Sequence, residues 1–447
     1  FMSQPKSTKR EARVEFHALA AGGEAVGRDS GGKTIFAPFA APGDTALVAI
    51  ESEKSSFGRG VIRTLETASS LRVAPPCPQF RPATPHFSCG GCSWQHVALE
   101  AQREAKREIV QNALTRIGGQ QIEAEACRGG DGFRYRNKAD FVIGHIEGRA
   151  EIGFFVAASH DLIPAATCPI QQPENEEVLV AAREILAANP DWGFDAASGR
   201  GFWRRLVVRV GSGGETLATI VTAREAGPEC DRLAAMLRDR VPHLVGVLER
   251  SPKSAAKSVW GRDYLLEHVN GLEFRVTGDA FWQVNPEVSP LLAQTAIELA
   301  EVKRGERALD LFCGAGLFAL HLAREGAVVT GIETHRGAIR DATCNAGHNK
   351  LKAEFRAGDA ARELGKFRPG QFDLILLDPP RAGAADCLAA LVRLAPQRLV
   401  YVSCDPATLA RDAKFLGAHG YELRRAIPFD LFPQTSHVET AALFTRQ

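Results

Sequence analysis

The sequence predicts an α/β architecture: a Rossmann-like domain at the carboxyl end, preceded by a small β-barrel and an α+β central domain. Three observations carry that reading. From about Asp279 onward, the strand candidates RALDLF, AVVTGIE, FDLILLD and RLVYVSC alternate with helical stretches, which favours a parallel sheet with right-handed crossovers. From about residue 10 to 68, short apolar runs (ARVEFHAL, EAVGR, TIFAPF, DTALVAIE, GRGVIRTLE) are broken by AAGGE, DSGGK and APGD, the texture of a small barrel. Between about Phe133 and Thr277, the strand-like segments ADFVIGH, EIGFFV, RRLVVRVG, TLATIVT and HLVGVLER mix with a few helices.

The expected units are therefore 1–68, 69–278 and 279–447. Ala74 to Pro85 is rich in proline and reads as an irregular joint. The stretch ALEAQREAKREIVQNALTRIG carries apolar residues at helical spacing and stops at Gly118 and Gly119. A chain of 447 residues, 45% hydrophobic, is long enough for two or three cores. Its formal net charge of +1 gives no global sign of nucleic-acid binding, so any basic surface has to be local. No apolar run is long enough to cross a bilayer, and the segment around Lys6, Lys9 and Arg10 lacks the apolar stretch of a secretory signal. A cytoplasmic protein without a membrane partner is expected. In that reducing compartment, ten cysteines point to metal binding or catalysis rather than to a disulfide framework.

The segment ALDLFCGAGLFALHLAREGAVVTGIE reads as a strand ending at Asp310 to Phe312, a tight turn with Gly314 and Gly316, a helix, and a second strand ending in Glu333. Glycines there let the backbone approach a ligand, and the closing carboxylate can take both hydroxyls of a ribose. The full dinucleotide pattern is missing because Phe318 and Ala319 follow Leu317, and an acid precedes the turn. That favours an adenosyl ligand without a pyrophosphate. Asp359 in RAGDA ends a third strand, where it either reaches the adenine edge or caps a helix.

RLVYVSCDPATLARD places Cys404 at a strand end, with Asp405 as N-cap and Pro406 at the first helical position. A thiol at a helix start is expected to have a lowered pKa and to serve as a nucleophile; a buried structural thiol is the alternative. Asp378, Pro379 and Pro380 end another strand at the same rim. FDLFPQTSHVET offers Glu439 and His437 as bases. A carboxylate on the apolar strand VETAALF is costly without work or a partner, so Glu439 is preferred, with an ion pair as the alternative.

Together DLFCGAG, LDPPRAG, YVSCDPATLARD and FPQTSHVET resemble the RNA 5-methyluridine methyltransferases. FWQVNP, YRNKADF, SHDLIPAATCPI and the amino-terminal barrel have counterparts there too, so the resemblance runs over nearly the whole chain. It implies a class I methyltransferase domain using S-adenosylmethionine, with Cys404 as nucleophile on C6 of a uracil and Glu439 as the base that removes the C5 proton. Gln283, Phe312, Glu333, Asp359 and Asp378, with Gly314 and Gly316, are implied around the cofactor, and Phe281 is implied to stack on the target base. Asp378 touching the uracil instead stays open. The position that often carries Asn in the family's Gly-rich turn is Leu317 here.

The barrel resembles a TRAM domain, an OB-like RNA-binding module, and implies phosphate contacts from Arg13, Arg28, Lys33, Lys54, Arg59 and Arg63, with solvated surface charge as the alternative. Arg134, Arg136, Asn137 and Lys138, interleaved with Phe133 and Tyr135, form a second expected RNA surface, of which Arg134 and Lys138 are the leading candidates. Cys77, Cys89, Cys92 and Cys168 make a four-thiolate set that suits zinc or an iron–sulfur cluster. The resemblance selects a [4Fe-4S] cluster, because CGGC, Gln95 and CPI stand as in the iron–sulfur members. Eleven residues separate Cys77 from Cys89, more than is usual there, with RPATPHF inserted. The barrel and cluster together imply 23S ribosomal RNA as substrate; a tRNA T-loop uridine is the alternative, and a monomer is expected. The competing class is a non-catalytic iron–sulfur RNA-binding protein, against which the presence of both Cys404 and Glu439 argues.

Overall fold

The computed structural model describes residues 10–252 and 254–447; the first nine residues of the expected 1–68 unit, Lys6 and Lys9 among them, lie outside the described residues. Strands β1 (Glu11–Leu19), β2 (Ala25–Asp29), β3 (Thr34–Ala37), β4 (Thr45–Glu53) and β5 (Phe57–Thr67) close into a barrel in the order β1-β2-β3-β5-β4. Alternation along β1 turns Val14 and Phe16 inward, against Ile35, Val48 and Ile50, and leaves Glu11, Arg13 and Glu15 outside. The joint that follows is tied back to the barrel. Buried Asp44 accepts hydrogen bonds from the Ala41 N–H (2.6 Å), the Ser69 N–H (2.9 Å) and Arg72 Nε (2.9 Å).

Helix α1 (Leu99–Arg116) and the short strand β6 (Arg128–Gly129) come next. The central sheet is built from β7 (Lys138–Ile146), β8 (Arg149–Phe155), β9 (Leu162–Pro164), β10 (Trp203–Val210), β11 (Thr216–Thr222), β12 (Leu244–Arg250) and β13 (Lys257–Gly261), in the order β13-β12-β11-β10-β7-β8-β9. Helices α2 (Pro173–Ala188) and α3 (Pro228–Arg240) bury Val178, Ile185, Leu233 and Leu237 against Phe141, Leu206 and Ile220 of this sheet. Only β11 and β12 run parallel here, because α3 carries the chain back between them.

A hairpin of β14 (Tyr264–Val269) and β15 (Leu272–Thr277) turns through Asn270 and Gly271, both at positive φ (47° and 82°), the conformation a two-residue hairpin turn demands. Although it falls within the expected 69–278 unit, this hairpin docks on the last domain. Asn345 Oδ1 accepts from the Arg275 N–H (2.7 Å) and Asn349 Oδ1 from the Glu273 N–H (3.0 Å), so helix side chains take up donors on the open edge of β15.

The last domain comprises α4 (Ser289–Ala300), β16 (Arg307–Leu311), α5 (Leu317–Arg324), β17 (Val328–Glu333), α6 (Arg336–His348), β18 (Ala353–Ala357), α7 (Ala360–Leu364), β19 (Leu374–Leu377), α8 (Ala385–Leu394), β20 (Arg398–Ser403), α9 (Pro406–Ala418), β21 (Tyr421–Asp430) and β22 (Glu439–Arg446). Its sheet has the order β18-β17-β16-β19-β20-β22-β21-β6. Strands alternate between two cores: Leu309, Leu311, Ile375, Leu377 and Tyr401 pack with α1, α8, α9 and the barrel, whereas Ala308, Leu374, Leu376 and Val400 pack with α4, α5 and the β14–β15 hairpin. The expected parallel sheet holds from β18 to β20. It does not hold at the end, where β22 inserts antiparallel between β20 and β21. The physical reason is the short connection: residues 431–438 carry no crossover helix, so the two strands pair as neighbours.

Helix α1 belongs to this sheet's covering layer. Lys106 is fully buried, forms an ion pair with buried Asp430 at the end of β21, and donates to the Phe432 carbonyl (3.0 Å). Removing one partner of a buried pair strands the other charge, at a cost of about 3–5 kcal/mol. Lys106→Met should therefore lower the denaturant midpoint strongly, and Lys106→Met with Asp430→Leu should recover much of the loss. Equal stability of the single variant and the parent would show that the pair is not a clamp.

Candidate active site

The parallel strands deliver their ends to one rim. After β16 the chain turns with Phe312, Gly314 and Gly316 at φ of 63°, 52° and 93°. Phe312 is an L-residue held in the left-handed region, which costs free energy and marks an over-determined turn. The Gly316 N–H closes the turn on the Cys313 carbonyl (2.8 Å), and a Cβ added to Gly314 would meet nothing within 4 Å. Open space therefore stands over the backbone where a ligand is expected. Glu333, ending β17, accepts from the Gly314 N–H (3.3 Å) with one oxygen and from the His335 N–H (2.8 Å) with the other.

Three acids gather here. Asp310 is fully buried, and neither of its carboxylate oxygens has a hydrogen-bond partner among the described residues. Burial pushes its pKa well above the usual range, and Asp378 and Glu333 add to that. A rim so rich in carboxylates suits a ligand carrying positive charge, and the sulfonium and ammonium groups of S-adenosylmethionine meet that description. Gln283 is 6% exposed, and its carbonyl accepts from Asn137 Nδ2 (3.5 Å). Of the two roles open to Asp359, the helix cap is the one formed: Oδ1 accepts from the Arg362 N–H (3.0 Å) at the start of α7.

Cys404 follows β20, and Asp405 caps α9 by accepting from the Ala407 (2.9 Å) and Thr408 (3.0 Å) N–H groups. The expectation of a lowered thiol pKa is corrected. Burial, followed by Glu439 and Asp378, pushes Cys404 up to about 11, with Arg381 pulling the other way. The helix start is present, but burial, with the neighbouring carboxylates added to it, outweighs it. Glu439 opens β22, is 3% exposed, and makes no ion pair among the described residues, so the ion-pair alternative is not the geometry formed. Burial and Asp378 raise its pKa well above the carboxylate range, and Arg381 again opposes. Asp378, at the end of β19, is raised by burial as well.

Arg381 is the residue whose role the sequence did not reveal. It sits in the LDPPRAG loop, is the cation named in the electrostatics of both Cys404 and Glu439, and places Nη2 3.4 Å from His437 Nε2. The available signal was a lone arginine directly after the two prolines. Arg209 was missed also. Buried in β10, it donates through Nη2 to the Ala280 carbonyl (2.9 Å) and so braces the loop that holds up Phe281, which is 68% exposed.

The four expected thiols share one cavity. Cys77, Cys89, Cys92 and Cys168 line a space of about 580 Å³ together with Gln95, Arg136, Arg381 and His437. Burial pushes the Cys92 and Cys168 thiols up, the latter to about 12, and the other cysteines add to it, as expected of sulfur atoms facing one another without a cation. The Gly91 N–H points at Cys89 Sγ (3.4 Å). Among the described residues, no group of three or more His, Cys, Asp or Glu side chains is drawn together tightly enough to hold a metal ion.

Several expected RNA contacts are corrected. Arg134 is ion-paired with Glu176, which also accepts from the Cys168 N–H (2.5 Å), so its charge braces the cysteine loop. Tyr135 is buried and donates to the Pro433 carbonyl (3.1 Å), which removes it as a stacking surface. Lys138 is lowered to about 8 by burial, then by Arg209, making it a weaker phosphate ligand than an exposed lysine. On the barrel, Arg13, Lys33 and Arg59 are paired with Glu66, Glu53 and Glu24, and Arg28 donates to the Gly32 carbonyl (2.7 Å). Lys54 and Arg63 keep their charges free of ion pairs among the described residues.

A Rossmann-type rim with a glycine turn, gathered acids and a thiol beside a carboxylate defines a methyltransferase-like class, and the comparisons agree. The profile described as tRNA (uracil-5-)-methyltransferase matches residues 212–447. An uncharacterized RNA methyltransferase of Halalkalibacterium halodurans is 34% identical over 429 residues, covering 92% of each chain. Another, of Gloeobacter violaceus, is 34% identical over 448 residues, covering 97% of this chain and 96% of that one. Among solved structures, the Pyrococcus abyssi tRNA (uracil-54, C5)-methyltransferase in complex with S-adenosyl-L-homocysteine superposes with a TM-score of 0.77 at 25% identity, covering 97% of this chain and 99% of that one. The chain belongs to the tRNA (uracil-5-)-methyltransferase family, S-adenosylmethionine-dependent enzymes that methylate uracil in RNA.

With two carboxylates holding the proton on Cys404, alkylation of that thiol, followed on its peptide by mass spectrometry, should accelerate as pH rises towards about 11. Glu439→Gln removes a negative neighbour, so the profile should move to lower pH. An unchanged profile would mean that the two groups do not sense each other.

Proposed function

We propose that this enzyme methylates C5 of a specific uridine in 23S ribosomal RNA, with Cys404 as nucleophile and Glu439 as base. The observation that carries this reading is the convergence of Cys404, Glu439 and Asp378 at one rim, where Glu439 and Asp378 raise the proton affinity of Cys404 and Asp378 raises that of Glu439. C5 of uracil is a poor nucleophile until a thiolate adds at C6 and turns the ring into an enolate. Bound S-adenosylmethionine supplies the methyl group that C5 takes up. Glu439 then accepts the C5 proton, the C5–C6 double bond re-forms, and the Cys404 thiolate leaves. A base with raised proton affinity suits this step.

Phe281 stacks on the extruded target base, and Glu333, Gln283, Phe312 and the Gly314–Gly316 turn surround the cofactor, with Asp378 between cofactor and uracil. Cys77, Cys89, Cys92 and Cys168 would hold a [4Fe-4S] cluster, a reading supported by their common cavity and by the amide aimed at Cys89. Such a cluster would fix the loops around it. The chain divides into a TRAM-like barrel (1–68), a central domain (69–278) and a catalytic domain (279–447), working as a cytoplasmic monomer. Ribosomal RNA is preferred because barrel and four-cysteine set occur together; a tRNA uridine is the second reading, favoured by the Pyrococcus abyssi enzyme's substrate.

Mapping 5-methyluridine in ribosomal and transfer RNA from cells with and without the gene should reveal one lost 23S site; loss confined to tRNA would reassign the substrate. Cys404→Ala should reduce transfer by more than about 1,000-fold, and Glu439→Gln should accumulate a covalent protein–RNA adduct. Rapid product release from that variant would remove Glu439 as base. Purified without oxygen, the protein should carry about four irons per chain with broad visible absorption, and stoichiometric zinc in a colourless protein would reject the cluster.

A further inference from the structure

A second cavity adjoins the nucleophile on the side away from the acids. It measures about 400 Å³ and is lined by Cys404, Pro406 and Arg381 on one side and by α1 on the other, and its lining includes neither Asp378, Glu439 nor Gln283. The space is therefore additional to that of the reacting base. Helix α1 contributes one stripe at helical spacing: Ile109, Asn112, Ala113 and Arg116, continued by Ile117 just past its end. Two features of that stripe point to a ligand. Asn112 and Arg116 are exposed and make no hydrogen bond or ion pair among the described residues. Ile117 stays 45% exposed beside them, a large apolar side chain open to solvent.

We propose that this cavity is the subsite for one nucleotide flanking the target uridine in the RNA. Its base lies on the apolar strip of Ile109, Ala113 and Ile117, Asn112 meets the base edge, and Arg116 meets the phosphate. The proposal rests on the reading of Cys404 as a nucleophile toward an RNA uridine. Extruding that uridine unstacks its neighbours, and unstacked bases in single-stranded RNA are held on protein surfaces that replace the lost stacking and offer partners to their edges. The cavity fits by continuity, since Cys404 lines it, and by charge, since Arg116 and Arg381 outnumber the one carboxylate of its lining, Asp405, which is engaged in capping α9.

The test uses an oligonucleotide containing the methylated uridine, with single abasic substitutions at each flanking position. For the wild-type enzyme, one abasic position should cost about tenfold or more in kcat/KM, the size of one base contact. Asn112→Ala/Arg116→Ala should lose a similar factor on intact RNA, chiefly through KM, and should be indifferent to that abasic substitution. A single Arg116→Gln variant should give part of the effect. Unchanged affinity for S-adenosylhomocysteine verifies that the variants are folded. Variants that match the wild type on intact RNA and keep its abasic sensitivity overturn the subsite. A wild-type enzyme that transfers no methyl group to uridine in any RNA overturns the proposed function and the subsite with it.

Discussion

Glu439 stands where it does because the loop before it is tied down at one residue. Gln434 is buried at positive φ, and both its backbone and its side chain are engaged. Its carbonyl accepts from the Ser93 (2.9 Å) and Trp94 (3.0 Å) N–H groups, directly after Cys92. Its N–H donates to Gln102 Oε1 (2.9 Å), Gln102 Nε2 donates back to its Oε1 (2.9 Å), and its Nε2 donates to the Gly132 carbonyl (3.2 Å). Each is a buried bond, and leaving any partner unmade costs about 1–3 kcal/mol. Through this hub the cysteine loop, α1 and the entry to the central sheet are all fastened to the loop that ends in the catalytic strand. The antiparallel β22 is thereby placed next to β20, and Glu439 comes to face Cys404.

That arrangement crowds negative charge. Cys404, Glu439 and Asp378 cannot all ionise in a recessed site served mainly by Arg381, so in the free protein the proton stays on sulfur and on a carboxyl. A cationic methyl donor entering beside Asp310, Glu333 and Asp378 lowers the cost of ionising those groups, because opposite charge favours the charged form. Under the proposed mechanism, activation of Cys404 would thus be coupled to cofactor occupancy. A thiol with a low resting pKa would be exposed to oxidation at all times; one held up until the donor arrives is reactive only when transfer can follow.

Much of this was legible in the sequence because periodicity and turn chemistry are local. The barrel strands, the four parallel strands at the site and the amphipathic α1 each declare themselves within a dozen residues, and the motifs DLFCGAG and YVSCDPATLARD mark their strand ends without help from the rest of the chain. What was not legible is non-local. The Cys404 shift is set first by burial and then by Glu439, 35 positions away in the sequence but adjacent through the insertion of β22. Arg134 reads as a free cation until α2 brings Glu176 to it, and Tyr135 reads as a stacking ring until Pro433 covers its hydroxyl. Local pattern places elements; partners for charges come from the packing of elements far apart in the chain.

The cysteine cavity and the cavity between Cys404 and α1 are neighbours. Ala21 of the barrel, Arg381, Ser436 and His437 line both. His437 and Ser436 belong to the loop fixed at Gln434, and that loop is fastened in turn to the backbone that follows Cys92. Any group that draws the four sulfurs together must therefore pull on Ser93 and Trp94, hence on Gln434, and hence on the wall between the cavities. The proposed cluster would carry out no step of the reaction, yet it would bear on how firmly Arg381 and Glu439 are held, because stiffness at Gln434 is shared by both sides of that wall. In that proposal the four cysteines would act on catalysis by setting the geometry of a loop.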